Sequence, residues 1–358
     1  MQTVLNVPPE IAQGLAEGIY TRIGGTVRNA QTGSIVALLR DAAPTLDLLP
    51  AAGIMNLGVS VLSLGVSVIG FAVVSHRLNR LEQELQAAKE MLLKSNQDLS
   101  RKIDLSFYAN FGAALKLAQA AFTMSNPENR RESAFQAINR FLEAEEVYYS
   151  YARGVLDSGV RGAEQYLLTL ALAYVSEFRC YLELGEIESA QFRLREAVII
   201  FRSLVETYVT TLLTKKLCVY LHSEIQDEIS LSRLTNIIRW LEQDEAIDEN
   251  AVFQRTRRDI FTLSREFDNW KESLPDAVKA HLEFKGYPAT FKQLPQFVSQ
   301  METMIETFHR LEAYGEEVQV MQQLGLSFQD WSQLSPPVFQ SAETPQVVCI
   351  LVPEVVAA

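Results

Sequence analysis

The stretch LLPAAGIMNLGVSVLSLGVSVIGFAVVS, residues 48–75, contains no charged side chain and continues without a break into a charged heptad pattern. An α-helix rises ~1.5 Å per residue, so about 20 apolar residues cross the ~30 Å hydrocarbon core of a bilayer. The run 48–75 is therefore long enough to span a membrane, and we predict a hydrophobic helix here.

Three other interpretations of this run compete with a membrane helix. Its alternation of β-branched and small residues fits a buried strand, but its length and its helical continuation argue against one. A buried hydrophobic hairpin in a soluble protein stays open as an alternative. A secretory signal peptide is disfavoured, because the run begins at residue 48 behind an acidic flank instead of a basic N-terminal region.

Small and weakly polar residues form a narrow stripe along the predicted helix. Offsets of four, three, four and three place them on one helical face: Asn56, Ser60, Ser63, Ser67 and Gly70. Small residues let helix backbones approach closely in lipid, and hydroxyl or amide groups can hydrogen-bond across the contact. The stripe therefore predicts helix association inside a membrane.

A seven-residue repeat carries the same register past the apolar run. Its first position holds large apolar residues: Leu57, Leu64, Phe71, Leu78, Leu85, Leu92 and Leu99. Its complementary position holds Ser60, Ser67, Val74, Leu81, Ala88 and Ser95. This pattern is typical of a coiled coil, and it predicts that subunits or hairpin arms pack along it in a homo-oligomer.

No Pro or Gly interrupts residues 71–111, so the pattern predicts a single long helix. From Ala51 to Phe122 this helix would be about 100 Å long. Pro127 ends it, because proline cannot continue a helix and restricts the residue before it.

We predict an all-α protein in five segments. They are an N-terminal amphipathic segment (1–47), the hydrophobic helix (48–75), a coiled-coil helix (76–126), a multi-helix bundle with repeat-like hairpins (127–324) and an irregular, β-prone C-terminal tail (325–358). In the first segment, Ile11, Leu15, Ile19 and Ile23 form an apolar ridge at helical spacing. In the last, the apolar run 347–352 is expected to dock on its own or a neighbouring subunit.

The bundle is predicted to consist of helices joined by short turns. They lie near 128–157, 161–184, 187–222, 226–243, 247–273, 275–284 and 294–323, and they are separated mainly at Gly and Pro. Within residues 174–205, Gly185 falls at a turn, and Ala190, Leu194 and Ala197 take packing positions on the following helix. This hairpin resembles the inner part of one tetratricopeptide repeat, which implies a protein-binding surface.

The charge of the chain limits its partners. A net charge of −12 and a pI near 5.0 argue against nucleic acid as a partner. Basic residues His76, Arg77 and Arg80 follow the apolar run, whereas Asp41 and Asp47 precede it. By the positive-inside rule, a spanning segment would put the bulk of the chain in the cytoplasm and residues 1–47 outside. We expect a membrane-associated protein. If insertion needs a trigger, the protein would be soluble before it inserts.

The sequence contains no pattern of a catalytic, cofactor or metal site. The histidines lack metal-ligand spacing: His76, His222, His281 and His309. The cysteines are widely separated and odd in number, which favours a reducing compartment: Cys180, Cys218 and Cys349. Members of the acidic pairs Glu145-Glu146 and Glu316-Glu317 point about 100° apart on a helix, and we interpret both pairs as solvated faces. We predict no enzyme, no cofactor and no metal.

Two functions from different classes fit these features. The first is a membrane-active helical protein that inserts residues 48–75 and oligomerises to form a pore or remodel the bilayer. A long helical stalk with a hydrophobic element resembles the α-helical pore-forming toxins, and this likeness of architecture implies a toxin or a self-killing defence effector. The second is a single-pass anchor that presents a cytoplasmic helical scaffold to a protein partner. We favour the first, because a pure anchor has little need of the small-polar stripe.

Overall fold

The computed structural model describes most of the chain on either side of the apolar run. The described residues are 7–41, 71, 74–75, 77–83, 86, 106–158, 163–213, 216–221, 225, 227–265, 273–282, 291–334 and 347–352. Over these residues the protein is mostly helical and contains one four-stranded antiparallel sheet. The predicted helical character is confirmed at this level, whereas the all-α prediction lacked the sheet.

Most of the described chain lies in helices joined by short turns. The described helices are α1 (Pro9–Ala16), α2 (Ser106–Thr123), α3 (Pro127–Ser158), α4 (Ala163–Glu183), α5 (Ile187–Leu212), α6 (Leu231–Glu242), α7 (Glu249–Arg265), α8 (Asp276–His281), α9 (Leu294–Gln323) and α10 (Phe328–Gln333). Short 3-10 helices span Leu217–Leu221 and Phe291–Gln293. The bundle helices lie close to their predicted positions, except that α5 ends at Leu212 instead of near residue 222.

Both ends of the described chain contribute to the sheet. Its strands are β1 (Tyr20–Ile23), β2 (Thr26–Asn29), β3 (Ile35–Asp41) and β4 (Val347–Leu351), in the order β1-β2-β3-β4. The tail run pairs with β3 of its own chain, with Val347 opposite Asp41 and Leu351 opposite Ala37. The tail was expected to dock on its own or on a neighbouring subunit, and in the structure it docks on its own subunit.

The predicted helical ridge in the first segment is wrong beyond its first residues. Helix α1 ends at Ala16, and Ile19 and Ile23 are exposed. Gly24 has φ of +53°, a conformation that residues with a Cβ rarely adopt, and it turns the chain between β1 and β2. The turn glycines and the β-prone residues beside them favour a hairpin over continued helix.

Helix α4 lies at the centre of the bundle. It packs between α3 and α5, and its central residues LLTLALAYV, 167–175, are almost all buried. A helix that is apolar on all sides is suited to the interior of a bundle. Large aromatic residues lie in the same core, including Tyr148 and Trp331, each 0% exposed.

The start of the described heptad residues and the end of α2 lie side by side. Residues 71, 74–75, 77–83 and 86 are helical, and we call them the heptad segment. The rings of Phe71 and Phe122 are stacked with their centroids 5.8 Å apart. In one straight helix these residues would lie about 75 Å apart. The predicted continuous helix from Ala51 to Phe122 is therefore wrong. The physical reason is that the heptad segment buries its apolar face against its own chain.

The hairpin of α4 and α5 turns at the predicted glycine. Gly185 turns the chain with φ of +75°, and the N–H of Glu186 donates to the carbonyl of Tyr181 at 2.9 Å. The side chains of Ala190, Leu194 and Ala197 are buried, as their spacing predicted. The hairpin thereby sets α5 against α9.

Candidate functional site

The heptad segment packs into the core of the helical bundle. Phe71, Val74, Leu78 and Leu81 are at most 7% exposed and belong to the core that α2–α5 share. The Arg179 guanidinium of α4 lies 5.9 Å from the centre of the Phe71 ring. Burial of each such apolar side chain contributes about 1.5–3 kcal/mol, so this segment is firmly held.

Most of the residues predicted to act in the membrane lie outside the described residues. This is the case for the whole small-polar stripe, Asn56, Ser60, Ser63, Ser67 and Gly70, and for Leu57, Leu64, Leu85, Leu92 and Leu99 of the heptad. The structure places the other two heptad residues, Phe71 and Leu78, in the core of their own chain. A role for the heptad in oligomerisation stays a prediction.

The chain on both sides of the apolar run belongs to one folded body. Strand β3 ends at Asp41, and the heptad segment begins at Phe71. Leu38 of β3 is 3% exposed and belongs to the same continuous core as Phe71. The segment in between, 42–70, lies outside the described residues.

Two arginines of the sheet form ion pairs with α9. The Nη2 of Arg22 donates to Oε1 of Glu306 at 3.0 Å. The Nη2 of Arg28 donates to Oε1 of Glu316. All four side chains are 24–30% exposed, so solvent screens both pairs, and each contributes at most about 1 kcal/mol.

A third arginine of the sheet, Arg40, forms a buried contact with Glu317. Its Nη2 lies 3.7 Å from Oε1 of Glu317, which also accepts from Nε1 of Trp331 at 2.7 Å. The Arg40 guanidinium donates to the carbonyls of Leu334 and Trp331 at 3.3 and 3.2 Å. Burial lowers the pKa of Arg40, and the Glu317 carboxylate opposes that shift. The Arg40 Nε has no hydrogen-bond partner among the described residues, so this buried contact is incompletely satisfied.

The turn between β1 and β2 lies directly on the backbone of α9. A Cβ at Gly24 would come within 2.5 Å of the carbonyl oxygen of His309, which no real Cβ tolerates. Glycine is therefore required here by close approach as well as by its φ. We call this contact, together with the Arg22, Arg28 and Arg40 contacts, the docking interface.

The interpretation of the acidic pairs as solvated faces is wrong for one member of each. Glu145 is 5% exposed and Glu317 is 4% exposed, because adjacent helical residues point about 100° apart and one of them faces the core. Helical spacing in the sequence could have indicated this burial. Glu317 lies three residues after Tyr314 and four residues before Met321, and the side chains of Tyr314 and Met321 are both buried. Glu145 likewise falls between buried Phe141 and Tyr148. Arg40 was missed as well, because nothing in its local pattern distinguishes a buried arginine from an exposed one.

Arg193 of α5 joins three helices through carboxylates. Its Nη2 donates to Oε2 of Glu145 on α3 at 2.9 Å, and its Nε donates to Oε1 of Glu177 on α4 at 2.8 Å. Its Nη1 donates to Oε2 of Glu196 on its own helix at 2.8 Å. One guanidinium thus neutralises charge inside the bundle and ties α3, α4 and α5 together.

Glu145 and Glu177 are two buried carboxyl groups that meet at the Arg193 guanidinium. Burial raises the pKa of Glu145 well above its ordinary value, the Glu177 charge adds to the shift, and Arg193 opposes it. As an ionised group, Glu145 would have no donor for its Oε1 among the described residues. Protonated Glu145 can instead donate to the Glu177 carboxylate, as expected for two carboxyl groups that share a site.

The described residues hold neither a metal cluster nor a spanning helix. No group of three or more His, Cys, Asp or Glu side chains in this part of the chain is placed to bind a metal ion. No helix formed by these residues combines the length and the apolarity that a membrane crossing needs. Comparison of the chain with protein families, curated proteins and solved structures found no match.

Proposed function

We propose that this protein is a membrane-active, oligomerising helical protein that inserts residues 48–75 into a bilayer to form a pore or remodel it. The proposal depends on one observation: the uncharged run 48–75 overlaps, from Phe71 onward, with a heptad segment that is anchored in a folded bundle. Apolar surface of this length is unfavourable in water and is accommodated by the hydrocarbon core of a membrane. The proposed partners are the lipid bilayer and further copies of this chain.

In this proposal the hydrophobic helix continues into the heptad segment, and the bundle carries it. The described bundle buries most of its large apolar side chains, the majority in one continuous core, and the chain has a net charge of −12. Both properties favour a protein that stays dissolved until it meets a membrane. The small-polar stripe from Asn56 to Gly70 then supplies contacts between inserted copies.

A permanent single-pass anchor is the weaker alternative. One crossing would put the residues before and after the run on opposite sides of the bilayer. Leu38 and Phe71 belong to one core, so a single crossing is incompatible with the intact fold. The positive-inside rule predicted residues 1–47 outside the cell and the bulk of the chain in the cytoplasm. This placement would also require the core shared by Leu38 and Phe71 to open.

Release of dye from loaded lipid vesicles tests the proposal. We expect the wild-type protein, purified without detergent, to release the dye. A variant with residues 48–69 replaced by a Gly/Ser linker of equal length should bind vesicles poorly and release none. This replacement keeps Phe71 and Val74, which the core needs, and circular dichroism would verify that the bundle is folded.

Equal dye release by the wild type and the linker variant would end the proposal. A wild-type protein that is insoluble without detergent would favour the permanent anchor instead. We also propose a role as a toxin or self-killing defence effector. In that case, expression in a bacterium should reduce viability, and the linker variant should not.

A further inference from the structure

The docked sheet prevents the apolar run from crossing a bilayer by either available route. As one helix, residues 42–70 would leave Leu38 and Phe71 on opposite sides, although both belong to one core. As a helical hairpin, the same segment gives arms of about 14 residues, or about 21 Å, which is shorter than the ~30 Å hydrocarbon core. A full crossing therefore requires one end of the run to leave the folded body.

The two ends of the run are held by different forces. After the run, Phe71, Val74, Leu78 and Leu81 are deeply buried among apolar groups, so their removal would open the main core. Before the run, the sheet meets α9 through three ion pairs of arginine with glutamate. Among the described side chains of its strands, Leu38 is buried in the main core, and Ile35 and Ile350 are partly buried against it. Among the described residues, the sheet is thus the end that separates at the lower cost.

The sheet can leave as a folded unit because it has a core of its own. Ile11 of α1 packs with Val27, Ala37 and Leu39 on the face of the sheet opposite the bundle, and this cluster is separate from the main core. Each of the four is at most 3% exposed. Undocking from α9 would leave this small core intact.

The buried part of the docking interface is also imperfect. Arg40 is removed from water, and its Nε has no hydrogen-bond partner among the described residues. Burial of a charged group with unsatisfied donors offsets much of the attraction to its partner. A contact of this kind specifies where the sheet docks while it adds little to the free energy of docking.

We propose that the docked sheet is an autoinhibitory contact, and that α1 with β1–β4 must separate from α9 before residues 48–70 can cross a bilayer. This inference depends on the proposed function and adds its regulation. Undocking frees the N-terminal end of the run, while the heptad segment stays anchored in the bundle.

A charge-reversal cycle at Arg28 and Glu316 tests the contact. Arg28→Glu sets a carboxylate against Glu316, and Glu316→Arg sets a guanidinium against Arg28, so each single variant should weaken docking. The double variant restores an ion pair with its polarity reversed. Each single variant should release vesicle dye about fivefold faster than the wild type, and the double variant should return close to the wild-type rate.

A matched control reverses one charge of an ion pair far from the sheet. Arg255 of α7 bonds to Glu242 of α6 through two hydrogen bonds at 2.6 and 3.1 Å. Arg255→Glu changes the net charge as Arg28→Glu does, so a general effect of charge on lipid binding would appear in both. We expect Arg255→Glu to release dye at the wild-type rate.

Hydrogen exchange of the backbone amides in β1–β3 gives a second readout that needs no membrane. An undocked sheet retains only its own small core and opens more often, so exchange should be faster in both single variants and restored in the double variant. Variants that exchange faster yet leak at the wild-type rate would overturn the inference, and so would single variants with unchanged exchange. If no protein, the wild type included, releases dye, the proposed function itself fails, whatever the exchange data show about docking.

Discussion

The rings of Phe71 and Phe122 are stacked, with their planes inclined by 3° and their centroids 5.8 Å apart. This contact joins the heptad segment to the end of α2, which lies much further along the chain. It shows that the described part of the heptad faces its own bundle. Two amphipathic helices of one chain bury each other's apolar faces at a lower entropic cost than two separate subunits do.

Truncation of Phe71 should destabilise the whole bundle. We expect Phe71→Ala to lower the free energy of unfolding by about 3–5 kcal/mol, because it removes a buried ring and leaves a cavity. Chemical denaturation followed by circular dichroism measures this change. Phe192→Ala is the control, since that side chain is 55% exposed and its loss should change stability by less than about 0.5 kcal/mol. Equal losses in both variants would contradict the packing described for Phe71.

A charge at Leu78 should unfold the bundle instead of only separating subunits. Leu78 is 2% exposed, and Leu78→Asp would bury a carboxylate without a partner, at a cost of more than about 3 kcal/mol. Asn79→Asp introduces the same group one residue away on the exposed face and should leave stability nearly unchanged. Thermal unfolding with light scattering separates the two effects. A Leu78→Asp protein with smaller mass and an unchanged melting temperature would show that the residue serves oligomerisation alone.

The raised pKa of Glu145 should make stability depend on pH. Because burial raises the pKa of Glu145, the folded state holds a proton that the unfolded chain has released at neutral pH. This contribution to stability is complete below the ordinary pKa of glutamate and is lost as pH rises towards the pKa of the folded state. Because a single proton is involved, the free energy of unfolding should fall by at most about 1.4 kcal/mol per pH unit between pH 5 and 8.

Glu145→Gln tests this dependence, because an amide imitates the protonated acid. The variant should resemble the wild type near pH 5, exceed it in stability at pH 8, and have a flatter profile in between. Glu146→Gln is the neighbouring control on the exposed face. If both variants keep the wild-type dependence of stability on pH, Glu145 is not the group that causes it.

Replacement of the small residues should separate membrane binding from assembly. Ser63→Leu combined with Ser67→Leu keeps the run apolar, so we expect vesicle binding at least equal to that of the wild type. The double variant loses close approach and hydrogen bonds worth ~0.6–2 kcal/mol each in lipid, a loss that is repeated in every copy of an oligomer. Dye release should therefore fall sharply, whereas Val66→Leu should release dye as the wild type does. Equal behaviour of the two proteins would remove the stripe from the proposed mechanism.

The sequence indicated buried charges only through their spacing. Glu145 and Glu317 occupy positions in helical apolar patterns that normally hold hydrophobic residues, but a polar residue there is equally consistent with the edge of a face. Their partners, Arg193 and Arg40, lie far from them along the chain and come close only in the folded protein. Such pairings could not be inferred from one sequence, because local periodicity carries no information about distant contacts.

Local patterns by themselves determined the helices of the bundle, the turn at Gly185, the β-prone run near Cys349 and the uncharged run 48–75. These features depend on side-chain periodicity, on residues that break helices and on hydrophobicity, which neighbours in sequence specify. Only the tertiary structure decided that β4 pairs with β3, that the heptad segment folds back on α2, and that Leu38 and Phe71 belong to one core. Those contacts join residues far apart in sequence, and many partners of similar hydrophobicity compete for each apolar face until the whole chain has packed.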